Sequence, residues 1–348
     1  MRTAIMGAGA LGTLFGALMT KNGKPVDMID ANKEHIAALK ANGATIIGGI
    51  NLVQKVSALT PDEMTGQYDL VFLLTKQTAN HIALPHLTKF LHKDSVVCTL
   101  QNGVPEEYVA SFVGKERTIG GAVAPAAQWV RPGVSQFNST ENVLKQFAFE
   151  IGEIDGTNTP RLKNAQEYLG AVGKTLLLDN LMGLRWSKLK INSTGSGMSA
   201  ALGQTFGANI DSSKVIICMA FIADEVIKTA HAQNIKLVPM QGADIDSFEL
   251  SGPQDIPALV PKFKELWERH RPSKASMMFD LERGLDCEID YINGLVAKKG
   301  RELGIATPFN DRVVELVREA QARRGLNNPA MISRFEDLFQ KYAPGLTF

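Results

Sequence analysis

The sequence lacks the features of several protein classes. Its three cysteines, Cys98, Cys218 and Cys287, are scattered and form no C-x-x-C pair; this argues against a disulfide-stapled secreted scaffold and predicts a reducing, cytoplasmic setting. The 37 Lys and Arg residues nearly balance the 36 Asp and Glu residues, for a formal net charge of +1. We therefore expect no electrostatic recruitment by nucleic acid or a membrane surface. The longest apolar run, residues 215–223, is too short to cross a bilayer.

The sequence also gives little support for a metal site or for an export signal. His81 and His86 are five residues apart, which puts them on different faces of a helix, and no cysteine or carboxylate cluster joins them. We therefore predict no metal site. Residues 1–12 run straight into a glycine pattern and contain no apolar h-region, so we expect no signal peptide.

What the first half of the chain does contain is an alternation of short apolar runs with helical patterns. Helix-type stretches separate the runs, and the one after the second run ends at Gly43, a typical C-terminal helix stop. Strands joined by crossover helices form a mostly parallel, doubly wound sheet. The predicted strands are 2–6, 25–30, 68–75 and 95–100.

The pattern changes twice further along the chain. Residues 118–155 contain Gly, Pro and β-forming residues without a helical period, so we predict antiparallel strands that extend the sheet. A helix near 160–172 and a strand at 174–179 follow, and beyond them strand signals stop. We therefore predict an α/β Rossmann-type N-terminal domain with a mostly parallel sheet over 1–179, and an all-α C-terminal domain over 180–348.

The first predicted strand leads into the hexapeptide GAGALG. Its three glycines have the G-x-G-x-x-G spacing, directly after a strand and at the start of a helix. In dinucleotide-binding folds the first glycine permits a tight turn, the second lets the backbone approach a pyrophosphate, and the third allows close packing of helix on strand. We therefore predict a cofactor-binding loop made of Gly7, Ala8, Gly9, Ala10, Leu11 and Gly12.

Asp30 ends the second predicted strand, where an acidic side chain can bind an adenosine ribose and favour NAD. Asn32 and Lys33 follow at once and could instead hold the 2′-phosphate of NADP. Asp30 could equally be the N-cap of a helix over 32–42. These residues alone leave the choice of cofactor open.

Five motifs together resemble the ketopantoate reductase (2-dehydropantoate 2-reductase) family, over nearly the whole chain. This resemblance implies NADPH-dependent reduction of a 2-keto acid to the (R)-2-hydroxy acid, with 2-dehydropantoate reduced to pantoate in pantothenate biosynthesis. The motifs are GAGALG at 7–12, LLTK at 73–76, QNGV at 101–104, WSKLKIN at 186–192 and CEIDYING at 287–294.

Two lysines stand close together in the fourth motif. If 183–203 is helical, Lys188 and Asn192 share one face, while Lys190 is turned away and is expected to reach solvent. The family pattern W-x-K-x-x-x-N implies that Lys188 is the catalytic lysine. An ammonium at that place would stabilise the charge that hydride addition builds on a ketone oxygen, and would deliver the proton.

The resemblance also implies roles for four other residues of the C-terminal half. Asn192 would bind the substrate, and Ser196 stands where many members carry a second asparagine, so recognition of the substrate side chain could differ here. Ser276 would bind the substrate, and Glu288 would support the acid–base site. From its spacing alone, Glu288 is only a carboxylate at the start of a helix.

Lys76 and Asn102 each follow the carboxyl end of a predicted parallel strand, where open α/β sheets bind their ligands. The resemblance implies that both lie near the cofactor, with Asn102 also near the substrate. The alternative is that Lys76 is a loop charge and that Asn102 is a turn residue beside Gly103.

Other functions stay open at this level. One alternative is an NAD-linked (R)-2-hydroxy acid dehydrogenase for branched or aromatic keto acids, which Asp30 and Ser196 favour. Another is a nucleotide-binding regulator without turnover. The expected partner is a small 2-keto acid, and a homodimer is a candidate state because such helical domains often pair. The Gly-, Pro- and Asp-rich stretch 235–255 fits a lid, a contact surface or a disordered insert.

Overall fold

All strands lie before residue 179 in residues 1–346, the part of the chain that the computed structural model describes. They are β1 (Thr3–Met6), β2 (Asp27–Ile29), β3 (Ala44–Gly48), β4 (Leu52–Gln54), β5 (Ser57–Leu59), β6 (Tyr68–Leu73), β7 (Leu91–Thr99), β8 (Thr118–Val123), β9 (Ala127–Arg131), β10 (Val134–Phe137), β11 (Phe149–Glu153) and β12 (Thr175–Leu178). Helices before residue 179 are α1 (Ala10–Lys21), α2 (Lys33–Asn42), α3 (Asn80–Leu87), α4 (Glu106–Val113), α5 (Glu141–Gln146) and α6 (Pro160–Gly170).

Eight of these strands form one sheet in the order β12-β11-β8-β7-β6-β1-β2-β5. Every neighbouring pair is parallel except β8 and β11, which are antiparallel. The mostly parallel sheet with crossover helices confirms the predicted Rossmann-type fold.

The sheet is buried on both faces, as a doubly wound fold requires. Because side chains alternate along a strand, Ile5 and Phe72 enter one apolar core while Ala4 and Val71 enter another. The first core includes apolar residues of α1, α2 and α6, and the second includes residues of α3 and α4. Strands buried on both faces must be apolar throughout, and this explains the short apolar runs of the sequence.

A second, four-stranded sheet in the order β4-β3-β10-β9 lies beside α1. The prediction for 118–155 is therefore partly wrong. Strand β11 does pair antiparallel with β8, but β9 and β10 belong to the second sheet, and α5 interrupts the strands. Strands β3, β4 and β5 were not predicted.

The chain divides into two compact units, one of Met1–Gln101 with Pro105–Leu181, the other of Asn102–Val104 with Met182 onward. The second unit is helical and has its own apolar core, in which the apolar run 215–223 is buried. None of the helices described is long and apolar enough to span a membrane. The remaining helices are α7 (Leu181–Ile191), α8 (Gly197–Leu202), α9 (Phe206–Asp211), α10 (Ser213–His231), α11 (Ile256–Glu268), α12 (Ser276–Glu282), α13 (Asn293–Leu303), α14 (Pro308–Ala322) and α15 (Glu336–Tyr342).

Apolar residues of the stretch 235–255 enter that core. Ile245 and Phe248 are 1% and 0% exposed. Ser187 Oγ of α7 donates to the Val238 carbonyl (2.8 Å) and accepts from the Val238 N–H (3.0 Å). The segment is therefore fixed to α7 within the helical unit.

Candidate functional site

Four adjacent strands, in the order β7-β6-β1-β2, end at one edge of the large sheet. Their carboxyl ends lead to Asn102, Lys76, the glycine loop and Asp30, respectively. The structure thus brings Lys76, the glycine loop and Asp30 to the edge where such folds bind ligands.

The three glycines of the loop differ in what surrounds them. Gly7 has φ +102°, and a Cβ there would lie 2.4 Å from the Thr75 backbone nitrogen. A Cβ on Gly12 would lie 2.2 Å from the Gly7 carbonyl oxygen. A Cβ on Gly9 would meet no atom within 4 Å. Gly7 and Gly12 are therefore required by the fold, whereas Gly9 borders open space that a ligand can enter.

The loop also leads into the first turn of α1, at Ala10 and Leu11. The N-cap of α1 is Gly9, and its first turn contains no acidic residue. Unpaired N–H groups at such a helix start favour an anion. The glycine spacing, the open side at Gly9 and the helix start together fit the pyrophosphate of a dinucleotide.

Asp30 is not the cap of α2. Its Oδ1 accepts a hydrogen bond from the Asn32 N–H at 2.9 Å, and the cap is Asn32, whose side chain accepts from the His35 N–H at 3.0 Å. The capping alternative for Asp30 is therefore wrong, because the N-cap of α2 lies two residues further along the chain, at Asn32. Lys33 is exposed at the first residue of α2.

A buried amide joins the ends of β6 and β7. Gln101 Nε2 donates to the Thr75 carbonyl (2.8 Å) and to Asn80 Oδ1 (2.7 Å). Lys76 and Asn102 directly follow two of these residues, so the network fixes the backbone from which both side chains start. Sequence reasoning missed Gln101, although it lies in the QNGV motif.

In the helical unit, Lys188, Asn192 and Ser196 form one strip. Between residues 183 and 202 these three positions, spaced by four, are partly exposed, and all the others are buried. The helix is therefore covered on every other side. The spacing predicted one common face for Lys188 and Asn192, and the burial pattern agrees with it.

The strip crosses a π-helical turn over Asn192–Ser196 that connects α7 to α8. Such turns are rare and frequently occur at functional sites. Gly195 has no room for a side chain, because a Cβ there would lie 2.0 Å from the Trp267 ring. The Thr194 hydroxyl donates to the Lys190 carbonyl at 2.9 Å.

Lys190 does not reach solvent, so that prediction is wrong. It is 0% exposed, and its Nζ lies 3.1 Å from the centroid of the Phe248 ring and 5.2 Å from that of Phe263. Within residues 1–346 this Nζ has no hydrogen-bond partner. Burial, reinforced by the positive charge of Lys262, lowers the pKa of Lys190 well below its usual value. The physical reason is that the face of α7 opposite Lys188 packs into the core rather than facing water.

Ser276 and Glu288 occupy different environments. Ser276 is exposed at the first residue of α12. Glu288 is 4% exposed and directly precedes a 3₁₀ turn over Ile289–Tyr291, ahead of α13. The predicted helix start at Glu288 is therefore this short turn.

Glu225, which the sequence did not single out, is a buried carboxylate linked by hydrogen bonds to the π-helical turn. Glu225 of α10 accepts hydrogen bonds from the N–H groups of Phe309 and Asn310, both at 2.9 Å, at the start of α14. Burial raises the pKa of Glu225 to about 8, although these donors favour its charged form. Asn310 Oδ1 accepts from Asn293 Nδ2 (2.9 Å), which also donates to the Ser193 carbonyl (3.2 Å). The network thus connects α10, α13 and α14 to the turn.

The chain matches two family models. Residues 3–154 match the model described as "Ketopantoate reductase PanE/ApbA", and residues 180–321 match "Ketopantoate reductase PanE/ApbA C terminal". The 2-dehydropantoate 2-reductase of Pyrococcus horikoshii is 28% identical over 327 residues, which cover 93% of this chain and 99% of that protein.

Solved structures agree along nearly the whole length. The PanE/ApbA family ketopantoate reductase of Ralstonia eutropha JMP134 has a TM-score of 0.78 and 26% identity, over 93% of this chain and 99% of the other. D-mandelate dehydrogenase, in its complex with NADH and anilino(oxo)acetate, shares the fold with a TM-score of 0.78 and 24% identity, over the same shares of the two chains. With family models that together span most of its length, this chain belongs to the ketopantoate reductase family of pyridine-nucleotide-dependent oxidoreductases.

Proposed function

We propose that this protein reduces 2-dehydropantoate to pantoate with a nicotinamide cofactor, and that Lys188 is the general acid. The observation that carries the proposal is the strip of Lys188, Asn192 and Ser196, the partly exposed positions on a helix that is otherwise buried from 183 to 202. A charged side chain beside two polar ones would cost free energy in an apolar core. On such a helix these side chains are better explained by the binding of a polar ligand.

The glycine loop would hold the cofactor. The open side of Gly9 leaves room for the pyrophosphate, and the start of α1 favours its charge. When bound, the reduced nicotinamide supplies the hydride. Lys76 and Asn102 follow neighbouring strands at the same edge and would contact the ligand there.

The helical unit would supply the proton. As negative charge develops on the substrate oxygen, the Lys188 ammonium stabilises it and then transfers a proton. Asn192, Ser196 and Ser276 would bind the keto acid, and Glu288 would support Lys188. Asn102 would contribute to substrate binding as well as to cofactor binding.

The finer specificity belongs to the same proposal. NADP(H) is expected from the family resemblance, with Lys33 available for a 2′-phosphate. Asp30 at the end of β2 and Ser196 at the strip favour the second candidate, an NAD-linked (R)-2-hydroxy acid dehydrogenase for branched or aromatic keto acids. The cytoplasmic setting, the homodimer and the separate roles of 1–179 and 180–348 stay predictions.

The test is the oxidation of NADPH and of NADH by the purified protein with ketopantoate and with 2-ketoisovalerate. Efficient turnover of ketopantoate with NADPH is the expected result. Preference for NADH and 2-ketoisovalerate would support the hydroxy acid dehydrogenase instead. Binding of a dinucleotide without turnover of either acid would favour a regulator and overturn the proposal.

Substitution of Lys188 tests its role. Lys188→Ala should lower kcat by about 10²–10⁴-fold, the usual contribution of a general acid, while the affinity for the cofactor stays the same. The matched control is Lys214→Ala, because Lys214 is an exposed lysine of the same unit, paired with Glu336 at 3.1 Å. An equal loss of kcat in both variants would contradict the assignment.

A further inference from the structure

His35 of α2 is a buried histidine that connects three separate parts of the N-terminal unit. It is 1% exposed. Its Nε2 lies 2.7 Å from the Ala8 carbonyl oxygen of the glycine loop and 3.1 Å from Thr13 Oγ1 of α1. Its Nδ1 accepts a hydrogen bond from the Gly133 N–H, at 3.0 Å, in the turn between β9 and β10. The imidazole thus spans the distance from the loop to the second sheet.

These partners determine which nitrogen carries the proton. A backbone N–H can only donate, so Nδ1 must be the unprotonated nitrogen, and Nε2 carries the hydrogen. The Nε2–H then donates to the Ala8 carbonyl, which also accepts from the Thr13 hydroxyl at 2.8 Å. Two donors therefore hold one carbonyl of the glycine loop.

Holding this carbonyl also orients the next amide. The peptide unit is planar and trans, so the Ala8 carbonyl and the Gly9 N–H lie in one rigid peptide plane and point in opposite directions. No side chain restrains the backbone of Gly9, because it is a glycine whose Cβ position borders open space. Without the two donors, this peptide plane would lose its fixed orientation, and the Gly9 N–H would no longer be held towards the side that a ligand approaches.

The second sheet makes another contact of the same kind. Ser135 of β10 is 1% exposed, and its hydroxyl donates to the Ala10 carbonyl at 2.8 Å. By the same planarity, this bond orients the Leu11 N–H in the first turn of α1. The β9–β10 hairpin therefore holds two successive parts of the loop, one through His35 and one directly.

We propose that His35 and Ser135 are positioning residues for dinucleotide binding, which keep the N–H groups of Gly9 and Leu11 directed at the pyrophosphate. The inference rests on the proposed function, because it needs the loop to bind a dinucleotide. Neither residue touches the cofactor in this arrangement. Both act by reducing the conformational freedom that the loop loses on binding.

Two substitutions separate the bonds that His35 makes. A glutamine amide nitrogen can take the place of Nε2 and donate to Ala8, whereas an asparagine oxygen takes the place of Nδ1, which keeps Gly133 but releases the loop. The dissociation constants of NADPH and NADH, measured by nicotinamide fluorescence without keto acid, should rise about tenfold in His35→Asn. In His35→Gln they should stay within about threefold of the wild-type values.

Ser135→Ala provides a test that leaves His35 intact, and a similar weakening of dinucleotide binding is expected. In all three variants the KM for the cofactor should change together with its affinity, and kcat at saturating cofactor should not. His92→Gln is the matched control, since His92 is a histidine of the same unit that bonds Asp69 (3.0 Å) on the partner strand of β7. It should leave binding unchanged.

Thermal unfolding without cofactor distinguishes positioning from stability. Wild-type affinity in both His35→Asn and Ser135→Ala would overturn the proposal. So would losses of affinity that follow the losses of Tm equally in His35→Asn, His35→Gln and His92→Gln. Failure of the wild-type protein to bind either dinucleotide would instead refute the proposed function.

Discussion

Replacement of the buried Lys190 by methionine should stabilise the folded protein. The amine is completely buried against Phe248 and Phe263, and burial lowers its pKa well below the usual 10.5. The folded state therefore disfavours the charged amine, whereas the unfolded chain binds a proton below pH 10.5. Folding at neutral pH therefore costs free energy at this site.

The size of this cost follows from the pH. At pH 7.5, about three pH units below the usual pKa, complete removal of the proton costs about 4 kcal/mol, which is the upper limit of the cost. Methionine is similar in length, carries no proton and can pack against the same aromatic rings. The free energy of unfolding of Lys190→Met should therefore exceed that of the wild-type protein at pH 7.5, by up to about 4 kcal/mol.

The sign of the pH dependence is the sharper test. Because the pKa is lowered in the folded state, the wild-type protein gains stability as pH rises towards 10.5. The advantage of Lys190→Met should therefore shrink as the pH rises from 7.5 to 9.5, by at most about 1.4 kcal/mol per pH unit. Other titrating groups are common to both proteins and cancel in the difference.

Urea unfolding at pH 7.5, 8.5 and 9.5 measures this difference. In a Trp129→Phe background, Trp186 and Trp267 report on the helical unit alone, since the protein has three tryptophans. Lys214→Met is the control and should show no such pH dependence, because Lys214 is exposed. A difference that is constant with pH, or a loss of stability in Lys190→Met, would show that Lys190 stays charged against the rings and would refute the reasoning.

Two further predictions concern the cofactor edge. Gly9→Ala should fold with a nearly unchanged Tm but bind NADPH and NADH more weakly, because its methyl group enters the open space of the loop. Gly12→Ala should lower the Tm, because its Cβ would lie 2.2 Å from the Gly7 carbonyl oxygen. Equal losses of Tm in the two variants would contradict this prediction. Asp30→Ala should raise kcat/KM for NADPH relative to NADH if the carboxylate faces the ribose, and an unchanged ratio would limit Asp30 to its bond with Asn32.

The sequence predicted the large sheet well, because its parallel strands are buried on both faces and leave uninterrupted apolar runs such as 68–75. It did not predict β3, β4 and β5, which are three to five residues long and partly exposed. Strands that short have too few residues to show a period.

The candidate site was likewise predictable only in part. Local spacing was sufficient to place Gly7, Gly9 and Gly12 on one loop and Lys188 on one face with Asn192. The burial of Lys190 was not predictable, because it depends on what packs against the far side of α7. His35 carries no motif either, and its role depends on Gly133, 98 positions further along the chain.

The π-helical turn has a consequence for which sequence changes the protein can accept. A turn of this kind contains one residue more than an α-helical turn, so it absorbs the rotation of about 100° that an extra residue would otherwise cause. A substitution that turned Asn192–Ser196 into a regular α-helix, with the chain length unchanged, would therefore rotate the buried face of α8 away from its neighbours. Removal of one residue together with the turn would cancel that rotation. In this part of the chain the helix type and the number of residues are thus coupled, and neither can change alone.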